Sequence, residues 1–187
     1  LRIELMPIYI SMLRGINVGG HKRIKMDQLR KCLGALGLTN VTTYIQSGNV
    51  VFKTTKTSPA ALSKKIETKI ASVFGFPVSV ITRTSGEMEN IIKSNPFLKT
   101  PGIPPEKLHV TFLSGAPAAA ALKKLEALML APDQSHCLGQ ELYFYLPNGV
   151  SGSVLMKNPV DRILAVVTTT RNWRTVNTLH QMCTEWD

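Results

Sequence analysis

Apolar residues recur along this chain at two spacings, and the switch between them predicts its elements. The run 7–13, rich in Ile and Tyr, alternates weakly and reads as a strand. Met26, Leu29, Cys32, Leu33 and Leu36 fall at helical spacing over 25–36, with Gly37 as a stop. The β-rich runs 41–46 and 49–53, parted by Ser47-Gly48, predict a tight hairpin. Ser58-Pro59 supplies a cap and a first-turn proline for a helix carrying Leu62, Ile66, Ile70 and Val73, which ends near Gly75. A strand over 77–83 completes the order β-α-β-β-α-β, the split βαβ arrangement of ferredoxin-like domains.

A short helix over 85–92 and a proline-rich stretch over 100–105 mark a connection. The order then recurs: a strand over 108–113, an Ala- and Leu-rich helix over 118–130, and a hairpin of 135–138 with 141–146 about Gly139-Gln140. A helix over 154–163, a strand over 164–168 and a final helix over 173–182 follow. No residue-level repeat accompanies this repeated order. The expected fold class is α+β: two ferredoxin-like subdomains in tandem, 6–84 and 108–187, joined by a linker with a short helix over 85–107, with an extra C-terminal helix.

The chain has 187 residues, 44% of them hydrophobic and 18% charged, which is ordinary globular usage and excludes a disordered class. Twenty-two Lys and Arg against 12 acids give a formal charge of +10. That excess favours anionic partners, although a soluble protein of high pI has it too. The charges are dispersed, without the basic run of a nucleic-acid-binding arm. Cys32, Cys137 and Cys183 are far apart and form no Cys-x-x-Cys pair, so neither a zinc ribbon nor a redox motif is available. An unpaired set suits a reducing cytosol, and the expected location is cytoplasmic. No segment approaches the roughly 20 continuous apolar residues of a membrane span. Residues 1–5 are too short and too charged for a signal peptide, and Met6-Pro7 reads as a start preceded by upstream sequence.

Candidate chemistry sits at element ends. Gly15, Gly19 and Gly20 follow the first strand, with Arg14, Lys22, Arg23 and Lys25 around them. They lack the Gly-Lys-Ser/Thr ending of a phosphate loop and the spacing of a dinucleotide fingerprint. One reading is a backbone cradle for phosphate or carboxylate, with Arg14 at the strand end and Asn17 as an amide reader. The other is a long turn of left-handed glycines closed by Asn17. Gln46, Ser47 and Asn49 surround the hairpin turn, where turn geometry selects these same residue types. In the third segment, Thr170 or Asn172 caps the last helix, and Arg171 and Arg174 beside its N-terminus suit an anion. Trp173 is expected in the core. His21, His109, His136 and His180 have no metal-ligand spacing, so neither a metal nor a cofactor is expected, and no catalytic residue is nominated.

Three segments, Leu13-Arg14-Gly15-Ile16-Asn17-Val18-Gly19-Gly20, Tyr44-Ile45-Gln46-Ser47-Gly48-Asn49-Val50-Val51-Phe52 and Thr170-Arg171-Asn172-Trp173-Arg174-Thr175-Val176, occur in this order. Together they resemble the bacterial family known as domain of unknown function 1697, over about 6–179. The resemblance implies an α+β fold of two related subdomains and brings no activity, substrate or catalytic residue. His21 and 157–165 are variable relative to its pattern.

Two functional expectations follow. The first is a binding protein for a phosphate-bearing ligand, nucleotide or single-stranded nucleic acid, at a basic site shared by Arg14, Gly15, Asn17, Gly19, Gly20, Gln46, Ser47, Asn49, Arg171 and Asn172. The second is an enzyme acting on a small phosphorylated or nucleotide substrate between the subdomains. Ferredoxin-like sheets include an RNA-binding module whose strand aromatics stack bases. Ile8-Tyr9-Ile10 fits its first signature, but Gly48-Asn49-Val50-Val51-Phe52 lacks the aromatics of the second. Tyr143 and Tyr145, on one face of their strand, are the substitutes.

Overall fold

The computed structural model describes residues 6–156 and 158–186; the expectations for residues 1–5 and for Lys157 lie outside these described residues. Among the described residues, two four-stranded antiparallel sheets and six α-helices make a mixed α+β protein. The chain divides into two units, Leu1–Glu89 with Leu179–Asp187, and Asn90–Thr178.

In the first unit, β1 (Ile8–Leu13) lies between β3 (Asn49–Lys53) and β4 (Val80–Thr84), with β2 (Thr39–Tyr44) outside β3. Two helices, α1 (Met26–Gly34) and α2 (Pro59–Phe74), join the strands. The apolar periodicity explains their packing. Met26, Leu29, Cys32 and Leu33 of α1 and Leu62, Ile66 and Ile70 of α2 are buried in one core with Tyr9, Leu13, Val50, Phe52 and Val80 of the sheet. Ser58 Oγ accepts the Ala61 N–H at 3.2 Å to start α2. Val73, expected on its apolar face, is exposed.

In the second unit, β5 (Leu108–Leu113) lies between β7 (Glu141–Tyr145) and β8 (Thr168–Asn172), with β6 (Gln134–Leu138) outside β7. α4 (Ala119–Leu128) and α5 (Val160–Leu164) supply Leu125 and Leu164 to a core with Leu113, Leu142 and Phe144. Two further helices, α3 (Ser85–Lys93) and α6 (Trp173–Thr184), follow β4 and β8 directly.

The two units share their hydrogen-bond register residue by residue along the central strands β1 and β5, while the outer pair β2–β3 carries a register shift that β6–β7 lacks. Ser11 stands opposite Thr82, and Thr111 opposite Thr170; each pair joins hydroxyls, at 2.8 and 2.7 Å. The N–H groups of Leu13 and Leu113 donate to the Gly48 and Gln140 carbonyls, and those of Arg14 and Ser114 to the Ser79 and Val167 carbonyls. Arg83 faces Ile10 across the sheet as Arg171 faces Val110. The repeat, not evident along the sequence, is present in the backbone and at these few side chains.

Three expected elements moved. The hairpin strand expected over 41–46 is Thr39–Tyr44, because residues 45–48 form the turn and Ile45 takes a left-handed φ of 51°. The helix expected over 154–163 divides into a 3₁₀ turn, Val154–Met156, and α5, because Pro159 disfavours helical backbone at Asn158. The strand expected over 164–168 lies at Thr168–Asn172: Leu164 closes α5 and Ala165 reverses the chain at φ 54°. The β-branched threonines, not the preceding aliphatic run, form the strand.

Candidate functional site

After β1 the glycine segment folds back on itself as a miniature hairpin. The Asn17 N–H donates to the Lys22 carbonyl and the His21 N–H to the Val18 carbonyl. Gly19 and Gly20 form its two-residue turn, with φ of 57° and 79°, which admits glycine at both positions. Asn17 fastens this finger to its surroundings. Its Nδ2 donates to the Ile24 and Gln46 carbonyls at 2.9 and 2.8 Å, and its Oδ1 accepts the Ile24 N–H. Both amide hydrogens and the oxygen are therefore spent inside the protein.

The second segment closes against the first. Asn49 is fully buried, and its Nδ2 donates to the Tyr44 carbonyl and to Ser47 Oγ. At Gly48 an added Cβ would stand 2.7 Å from Ile16 Cδ1 and 2.8 Å from Leu13 Cβ. The structure thus brings Asn17, Gln46, Ser47 and Asn49 together, as two loops knitted by their own polar groups. Arg14 is half-buried at the strand end, Gly15 is exposed, and Gln46 is exposed at the turn.

Arg171 and Asn172 belong to the second unit. The Arg171 guanidinium is buried and donates from Nη1 to Thr169 Oγ1 at 2.9 Å and to the Thr170 carbonyl at 3.0 Å. Burial lowers its pKa to about 10, so it stays charged at neutral pH. Asn172 Oδ1 accepts the Thr175 N–H at 2.8 Å and caps α6, and Trp173 is buried beside it. Tyr143 is buried with its hydroxyl on the Ile91 carbonyl, and Tyr145 packs against Phe97; neither ring is laid open on the sheet.

What sequence reasoning missed is the outer face of α2. A groove of about 480 Å³ is lined by Lys22, Lys64, Glu67, Thr68, Ala71, Pro77, Val78 and Ser79. Lys22 reaches it from the glycine finger, its ammonium held by the Pro77 carbonyl at 2.8 Å. The Glu67 carboxylate is turned to the Val80 N–H at 2.9 Å. A second groove, of about 590 Å³, adjoins it through the shared Lys64 and Thr68 and adds Leu36, Ala61, Lys65, Lys69 and Ser72. Lys65 Nζ donates to the Leu36 carbonyl at 3.2 Å. The signal was present as Ser63-Lys64-Lys65 and Lys69 on an amphipathic helix, where lysines ordinarily mark a solvated face.

Burial pushes the Cys32 thiol above its ordinary value, opposed by the Lys69 ammonium, and burial with the Glu141 charge does the same to Cys137. Burial lowers the His109 pKa, opposed by a hydrogen bond with the Lys107 backbone, and leaves its Nδ1 unpartnered. Among the described residues no cluster of His, Cys, Asp or Glu is placed to hold a metal ion. Nor is any described helix long and apolar enough to cross a membrane.

Two antiparallel sheets in matching register, each flanked by its own pair of helices, define an α+β protein of duplicated design. The chain belongs to the family of proteins of unknown function designated DUF1697, which it matches over residues 6–143; the segment 170–176 lies beyond that range. It is similar in structure to the conserved bacterial protein SP0830 from Streptococcus pneumoniae, with a TM-score of 0.76 and 27% sequence identity over 95% of this chain and 99% of that one. No curated protein matches.

Proposed function

We propose that the protein binds a phosphate-bearing ligand on the basic surface of its first unit, in the groove between the glycine finger and α2. One observation carries this reading: Lys22, fixed by the Pro77 carbonyl, and Lys64 line one groove with the hydroxyls of Thr68 and Ser79. An ammonium has three donors, and the carbonyl takes one from Lys22. Lysines held in place lose less side-chain entropy on binding, and nearby hydroxyls accept and donate to phosphate oxygens. Most of the chain's positive excess also falls in this unit.

The polar residues of the two knitted loops act in this reading as the frame that holds Lys22, not as ligand contacts. Arg171 and Asn172 lie in the other unit, and the groove needs neither. Binding is favoured over catalysis because the acid in the groove, Glu67, is committed to the Val80 N–H, and the Cys32 thiol is held protonated by burial. Each unit reads as ferredoxin-like on its β-α-β-β-α-β order and on its strand order, β2-β3-β1-β4 or β6-β7-β5-β8. Cys32, Cys137 and Cys183, none of them joined in a disulfide, fit a cytoplasmic location.

Isothermal titration with pyrophosphate and with a nucleoside triphosphate tests the proposal. Lys22→Gln and Lys64→Gln are each expected to weaken binding several-fold without changing the melting temperature. Unaltered affinity in both variants, or no binding by the parent protein at low salt, defeats the reading.

A further inference from the structure

We infer that the ligand is a single-stranded nucleic acid lying along α2, with its phosphates crossing both grooves. The inference rests on the phosphate-binding reading above and adds the length and class of the ligand. The two grooves share Lys64 and Thr68, exposed on the outward face of α2, so they adjoin along the helix, one on either side of these residues. Four ammonium groups line the two grooves, Lys22, Lys64, Lys65 and Lys69. The helical rise of 1.5 Å per residue separates Lys64 from Lys69 by about 7.5 Å along the axis. That distance serves successive phosphates and exceeds the oxygens of one.

Two ammonium groups are set on backbone carbonyls, Lys22 on Pro77 and Lys65 on Leu36. They stand on both sides of α2, so the row of charge is built from the finger, the helix and the end of α1 together. Between the charges the second groove is lined by Leu36, Ala61 and the methylene stems of the lysines. Such a floor suits the faces of sugars and bases, which an acidic peptide would not supply. A charged groove that tracks one backbone is the electrostatic half of single-strand binding, the other half being aromatic rings that stack the bases. Glu67 does not interrupt the row, because its carboxylate is turned to the Val80 N–H. No aromatic ring lines either groove, so binding is expected to be tolerant of sequence and strongly dependent on salt.

Fluorescence anisotropy with a labelled 12-nucleotide single-stranded RNA and DNA, run beside pyrophosphate titration, tests the inference. The Lys65→Gln/Lys69→Gln double variant should weaken the 12-mer about tenfold and leave pyrophosphate binding unchanged, whereas Lys22→Gln weakens both. With about 0.7 counterions released per phosphate contact, the parent slope of log K against log salt should be near −3, and the double variant should lower it by about 1.4. If pyrophosphate binds as expected but the 12-mer binds no tighter, or the double variant leaves it unchanged, the strand is wrong and the small-ligand site stands. If neither binds, both readings fall. A duplex of equal length or poly-glutamate binding as tightly as the 12-mer overturns the assignment to a single strand.

Discussion

Gly48 occupies a space that no other residue can. Its φ of 81° is left-handed, and an added Cβ would meet Ile16 Cδ1 at 2.7 Å and Leu13 Cβ at 2.8 Å. The Leu13 Cβ is tied to the backbone of β1 and cannot swing aside. Gly48→Ala is therefore expected to cost about 3 kcal/mol, combining left-handed strain with overpacking. A urea unfolding midpoint indistinguishable from the parent's would refute this. Residue types at the two loops were legible in the sequence; their partners were not. Asn17 reads equally as a ligand-facing amide or a turn-closing one until the Gln46 carbonyl, 29 positions away, is placed against it. Asn49 is the same case, an amide in a turn whose side chain proves fully buried.

Helices with caps and strict apolar spacing were legible because their signals are local. Ser58, Pro59 and Gly75 bound α2 as expected, and Asn172 caps α6. Strand β8 was not legible, because 164–168 is as apolar as any strand while Thr168–Asn172 is half polar. What selects the threonines is their partners: Thr170 opposite Thr111, and Arg171 opposite Val110. Arg171 shows the consequence for function. Its guanidinium is buried on its own strand, bonded to Thr169 and to the Thr170 carbonyl. A lysine would put a compact, strongly hydrated ammonium in this buried place, where the delocalised guanidinium costs less to desolvate. Arg171→Lys should lower stability by about 1–3 kcal/mol and leave the thermal shift given by pyrophosphate unchanged. Melts of both proteins with and without pyrophosphate check this. Lost ligand response with unaltered stability would return Arg171 to the binding surface.

For the whole molecule, the last residues belong with the first unit. Leu179 and Cys183 are fully buried, and Lys53 Nζ donates to the Trp186 carbonyl at 3.0 Å while standing 5.9 Å above its ring. Deleting residues 179–187 should therefore lower the unfolding midpoint by the equivalent of several kcal/mol, since one buried leucine alone is worth about 2 kcal/mol. Lys53→Ala should lower it by much less. Calorimetry of the two variants decides; an unaltered midpoint on deletion would show that the C-terminal turns contribute nothing to the first unit.

By itself the sequence determined the order of strands and helices, the α+β class, the twofold recurrence of β-α-β-β-α-β and the family, because periodicity, caps and turn residues act over a few positions. Tertiary structure decided the rest. It set the register that β1 and β5 share with their neighbours, which backbone hydrogen bonds maintain. It turned the amides of Asn17 and Asn49 inward, and it assembled a row of lysines from the glycine finger and α2. Those outcomes depend on contacts between positions tens of residues apart, and no local pattern encodes which distant carbonyl an amide or an ammonium will meet.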